Sequence, residues 1–172
     1  MSESLQQLFD TLPQIGQVRW IGIRPARIVY VSGKTEAAEL QIVDQVEAIA
    51  GKGLVGDRYA SKNGKRQVTL IQWEHLAAIA SMLHRDSVSP ELLRRNIAVS
   101  GINLLALKNK QFKLGTATLE YTGLCEPCSA MENTFGPGGY NAVRGHGGIT
   151  CRIIESGLIG LGDKLSVYTL KN

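Results

Sequence analysis

The sequence predicts an α+β fold, a mostly antiparallel β-barrel with a few peripheral helices. Three observations carry this reading. Short β-branched and aromatic runs recur between glycine- and proline-bearing turns. Helical spacing is confined to a few stretches, and strands and helices do not alternate in the regular order of a parallel βαβ sheet. A length of 172 residues fits one domain and buries a core without disulfides or metals.

The elements follow in order. Leu5, Leu8, Phe9 and Leu12 recur at helical spacing and Pro13 ends the run, so residues 2–13 form a short helix. This helix is expected to lid the core or to make a dimer contact. It belongs to an extension over residues 1–14, ahead of a domain over 15–170. Strands are expected from Val18 to Ile23, from Ile28 through Tyr30 to Val31, and from Leu40 to Ile49, with a turn at Ser32, Gly33 and Lys34. Residues 51–66 form a long glycine-bearing loop carrying Asp57, Arg58, Lys62, Lys65 and Arg66. Loops of that length are more often functional than decorative.

Val68 to Ile71 reads as a strand and Trp73 to Leu83 as a helix rich in alanine and leucine. Ser89 and Pro90 read as an N-cap and first helical residue, opening a short helix through Arg95. Ile97 to Val99 is a strand, Lys113 to Tyr121 a hairpin edge and strand, and Ile149 to Ile154 a further strand. Gly136 to Gly139 is a turn. A second tight turn at Leu161 to Lys164 precedes the last strand, Leu165 to Tyr168.

Composition excludes several classes. With 44% apolar and 20% charged residues the chain is neither collagen-like, disordered nor a coiled coil. No apolar run reaches the ~20 residues of a membrane helix. The N-terminus from Met1 lacks the apolar segment of a signal peptide. The expectation is a cytoplasmic protein with no membrane partner. A net charge of +4, with no aromatic–basic stripe, leaves nucleic acid outside the expected partners.

Cys125, Cys128 and Cys151 are too few, and odd in number, for a secreted disulfide scaffold. Cys125-Glu126-Pro127-Cys128 allows three working readings. It is a thioredoxin-like redox pair, half of a zinc site completed by His146 and Cys151, or the seat of one chemical cysteine. A fourth reading leaves both cysteines inert. Cys151 lies in an apolar strand, where a buried thiol is expected. Arginines on glycine-bearing loops form a second pattern: Gly56-Asp57-Arg58, Arg94-Arg95-Asn96 and Arg144-Gly145-His146. A guanidinium fork suits phosphate or carboxylate, and convergence on Cys128 would make an anion pocket around a thiolate. His75 and His84 are expected to be structural or exposed. His146, between glycines, is the histidine weighed for the site.

The ordered set Gly53-Leu-Val-Gly-Asp-Arg-Tyr59, Gln67 to Ile71, Leu93 to Ile97, Val99 to Leu104, Pro127-Cys128, Gly147-Gly-Ile149 and Leu161-Gly-Asp163 resembles a MOSC domain. That domain is found at the C-terminus of molybdenum cofactor sulfurases. The resemblance spans about residues 15–168. It implies a barrel-like fold and one family cysteine, which falls on Cys128 and leaves Cys125 as a subgroup addition. It further implies that Cys128 carries sulfur as a persulfide or ligates the metal of the molybdenum cofactor, as in relatives that reduce N-hydroxylated compounds. Arg58, Arg94, Asn96, Arg144 and His146 are then cofactor contacts, with Asp57 orienting them. The implied partners are a cysteine desulfurase or an electron-donor protein. Pyridoxal phosphate enters only through that desulfurase. A chain of this length is expected to hold neither partner domain, which leaves a non-catalytic carrier of sulfur or cofactor as an alternative.

Overall fold

A computed structural model describes residues 3–29, 31–33, 35–36, 39–59 and 64–167. Ser2, Tyr30, Lys34, Lys62 and Tyr168, placed above on elements or loops, lie outside the described residues, as do residues 169–170 of the expected domain.

In chain order the elements are α1 (Glu3–Asp10), β1 (Gly16–Ile23), β2 (Ile28–Val29), β3 (Thr35–Glu36), β4 (Gln41–Ile42), β5 (Gln45–Ile49) and β6 (Gly53–Leu54). Next come β7 (Val68–Gln72), α2 (Trp73–Met82), β8 (Ile97–Ser100), β9 (Gln111–Leu114) and β10 (Ala117–Leu124). The chain continues with α3 (Ser129–Phe135), α4 (Gly139–Val143), β11 (Ile149–Glu155), β12 (Gly157–Gly160) and β13 (Lys164–Val167). Two 3₁₀ turns, Pro90–Leu93 and Leu104–Leu107, flank β8.

Seven strands close a mixed barrel in the order β13-β9-β10-β11-β7-β8-β1, and β1 returns to β13 with Gly16 opposite Leu165. Every pair in the ring is antiparallel except β7–β8, which is parallel with Leu70 opposite Ile97. That exception needs a crossover, and α2 supplies it. The pattern of the strands explains the layering. Leu70, Ile97 and Val99 point into the barrel, whereas Ile71 and Ala98 point outward. Both faces are buried because α2, α3 and α4 cover the outside through Leu76, Ile79, Met131, Phe135 and Val143. Phe112, Leu114, Leu119 and Cys151 fill the interior.

Several expectations change. The single strand over 40–49 is two. β4 extends the barrel edge beside β1, and β5 joins the smaller sheet β12-β5-β6. The glycine loop contributes β6, whose Leu54 enters the core. The helix expected from Ser89 to Arg95 is a 3₁₀ turn over Pro90–Leu93; Ser89 makes no side-chain cap bond, and Arg94 ends the turn with φ 58°. β12 escapes a pattern reading because half of Gly157–Gly160 is glycine. In α1, Leu12 beyond its end packs against the core, while Leu5, Leu8 and Phe9 stay exposed.

Candidate functional site

One end of the barrel gathers the loop after β1, the glycine loop, the start of β7, the residues before β8 and the turn between β10 and α3. Between them lies a cavity of about 330 Å³. Arg24, Tyr59, Arg66, Arg94, Arg95 and Cys128 line it, with Thr69, Asn96, Cys125, Glu126 and Met131 completing the wall.

Each side chain has a local reason for its place. A register shift in β10 between Tyr121 and Gly123 turns the end of that strand, and Cys125 then donates its N–H to the Gly148 carbonyl at 2.9 Å. Cys128 stands at the N-cap of α3 with extended backbone, φ −127° and ψ 173°, and its side chain makes no cap hydrogen bond. It is exposed, whereas Cys125 is buried with its sulfur 4.0 Å from Arg66 Nη2. Cys151 is enclosed in the barrel, and burial pushes its thiol far above the usual range.

Four arginines carry different duties. Arg95 is spent on the backbone. It donates to the carbonyls of Gly147 at 2.6 Å, Leu93 at 2.7 Å and Cys125 at 3.3 Å. It therefore clamps the cysteine turn to the loop before β11. Arg24 is 6% exposed. It bonds through its backbone, donating its N–H to Asp57 Oδ1 at 2.7 Å, and its guanidinium has no hydrogen-bond partner among the described residues. Burial, aided by the nearby Arg94 charge, pulls that guanidinium down to about 10. A mostly buried guanidinium is costly to keep charged, Asp57 and Tyr59 offset part of that cost, and an anion in the cavity would offset more. Arg94 reaches out to Tyr59 Oη at 3.1 Å. Arg66 completes the positive wall.

Among the other expected residues, Asp57 is buried and accepts from backbone N–H groups of Arg24 and Tyr59, so it fixes the turn that presents Arg24. Arg58 does not line the cavity. Its Cζ lies 5.0 Å from the Tyr59 ring centroid and its Nη2 donates to Tyr59 Oη at 3.3 Å. Asn96 is in the wall with its side chain committed. Oδ1 accepts from Thr69 N and Oγ1, both at 3.0 Å, and Nδ2 donates to Gly22 O at 3.3 Å. Arg144 is exposed after α4, away from the cavity lining. His146 turns its ring edge to His75, with centroids 4.9 Å apart. The zinc set of Cys125, Cys128, His146 and Cys151 does not form: no group of three such ligands gathers among the described residues.

Sequence reasoning missed Arg24; it placed Arg66 on the long loop and Arg95 in the arginine pattern without naming either, or Tyr59, as a site residue. A charged residue directly after a buried strand, followed by Pro25, was the available signal for Arg24. Chemically, the arrangement offers an exposed thiol on the rim of a cavity whose wall is cationic. Such a site holds an anion and presents a soft sulfur beside it.

Known proteins agree with this architecture. A family model described as MOSC domain matches residues 50–166. The solved structure of YuaD from Bacillus subtilis superposes with a TM-score of 0.72 at 20% identity, covering 90% of this chain and 97% of that one. YiiM from Geobacillus stearothermophilus gives 0.66 at 16% identity, covering 90% and 75%. YiiM from Escherichia coli gives 0.61 at 18% identity, covering 88% and 70%. No curated protein sequence matches the chain. The barrel, the cysteine turn and the match over most of the sequence place this chain in the MOSC domain family.

Proposed function

We propose that the protein is a molybdenum-cofactor-linked thiol protein acting through Cys128. The carrying observation is the exposed Cys128 sharing one cavity with the mostly buried Arg24, whose guanidinium makes no hydrogen bond to the described residues. The residues fit the group. Arg24 and Arg94 would hold its phosphate, and Cys128 would offer the soft donor that a molybdenum centre takes. When bound, that group supplies two-electron redox chemistry, here directed at N-hydroxylated compounds. Arg95 keeps the cysteine turn in place, and Asp57 keeps Arg24 facing the cavity. The setting is cytoplasmic, with an electron-donor protein as partner.

A second reading rests on the exposure of Cys128, which leaves its sulfur open to another protein. In it Cys128 carries a persulfide received from a pyridoxal-phosphate cysteine desulfurase and passes sulfur on. The test is expression in a cofactor-producing host and metal analysis of wild type, Cys128→Ala and Arg24→Met. Molybdenum in the wild type that is lost in Cys128→Ala and lowered in Arg24→Met supports ligation. Equal molybdenum in wild type and Cys128→Ala overturns ligation. Incubation with a desulfurase then decides the carrier reading: Cys128 gains one sulfur atom by mass, or the carrier reading falls.

A further inference from the structure

We propose that Tyr59 is the neutral hydrogen-bond donor of the Cys128 cavity, donating its phenolic O–H to an anionic ligand held there. The inference rests on the anion-binding reading of this cavity and names a residue that reading does not use. A phenol has one O–H and two lone pairs. Arg58 Nη2 at 3.3 Å and Arg94 Nη2 at 3.1 Å both donate to Tyr59 Oη, so both lone pairs are occupied. The O–H hydrogen is left for a third partner, and Tyr59 lines the cavity. No carbonyl or carboxylate of the protein takes it among the described residues.

Tyr59 and Thr69 carry the hydroxyls of the wall, and the Thr69 hydroxyl donates to Asn96 Oδ1, so the Tyr59 O–H is the neutral donor left open to the cavity. The backbone of Tyr59 is itself fixed, its N–H donating to Asp57 Oδ2 at 3.3 Å.

The contact is a charge-assisted hydrogen bond: the Oη–H stays whole and donates to an oxygen of the anion, while the two guanidiniums hold the phenol's lone pairs. The same two cations, Arg58 first, hold the phenol below its ordinary range, which strengthens the hydrogen bond its O–H donates. Arg58 and Arg94 act on this phenol directly, the Arg24 charge couples to it, Asp57 holds the Tyr59 N–H, and Arg66, Arg95, Glu126 and Cys128 line the same cavity.

Two measurements on the protein without cofactor test this. Ultraviolet titration of the tyrosines should show one phenol ionising before the others. Tyr59→Phe should remove that step and Arg94→Met should raise it. Sulfate, which does not titrate in this range, is then the binding probe. Wild type should bind sulfate several-fold more tightly than Tyr59→Phe at neutral pH. That advantage should vanish as the early phenol ionises. Failure of sulfate to bind, equal affinity in the two proteins, or an early step that survives Tyr59→Phe overturns the proposal. None of these depends on molybdenum or on Cys128, so the proposal and the metal reading fail separately. Tyr59 is half-exposed, so the Phe variant is expected to fold. The order of ionisation in the wild type alone is a second check.

Discussion

Cys128, Cys125 and Cys151 have one side-chain chemistry and three environments. Cys128 is open to solvent, Cys125 is 4% exposed in the cavity wall, and Cys151 is enclosed in the barrel. A thiolate is the reactive form, and both access and burial control it. Iodoacetamide should therefore label native protein first at Cys128, more slowly at Cys125, and at Cys151 only after unfolding. Peptide mass mapping over a time course checks this. Early labelling of Cys151 would contradict its enclosure. The arginines divide in the same way. Arg95 is a structural clamp because three of its five N–H donors hold backbone carbonyls, while Arg24's guanidinium makes no hydrogen bond to the described residues. Residue type alone would rank them equally.

The loop between α4 and β11 shows how an element sets the site. A Cβ at Gly148 would lie 1.9 Å from the Leu70 carbonyl oxygen, and the residue has φ +86°. At Gly147 a Cβ would lie 2.1 Å from the Cys125 carbonyl oxygen. These two positions let β11 start against β7 while the cysteine turn passes over it. Gly148→Ala adds both a backbone collision and positive-φ strain, so it should cost about 3 kcal/mol or more. Urea unfolding by circular dichroism measures the loss. A change near zero would show that the loop relaxes freely. The β10 register shift next to this loop serves the same end, because it bends the strand that delivers Cys125.

On the scale of the whole molecule, β1 closes the ring against β13 and β8, although it precedes the residues matched by the family model. No helix among the described residues is long and apolar enough to cross a membrane. Stability should depend on pH through His75. Burial, with the charge of His146, lowers its pKa from 6.5, opposed by Glu74 and by the His146 backbone. The unfolded chain then binds the proton more readily than the folded one. The contribution of His75 is full above pH 6.5 and is lost as pH falls from there through the folded pKa. Urea midpoints of wild type should fall more steeply across that window than those of His75→Gln. Parallel slopes would rule His75 out as the source.

The sequence by itself determined the α+β barrel class, most strand positions, the β7-α2 segment and the priority of Cys128 over Cys151. These are local properties: β-branched runs, helical spacing and a strand setting for Cys151. The motif order also pointed to the family. Only the tertiary structure decided which arginines share a cavity with Cys128. It placed Arg24 and Arg66 in the cavity wall, stood Arg58 on the Tyr59 ring and left Arg144 outside. It also split the strand over 40–49, because Val43 and Asp44 carry the chain from one sheet to another. The physical reason is one of range. Strand and helix patterns are written in neighbouring residues. A guanidinium's partners come from loops far apart in the chain, and only barrel closure sets those distances.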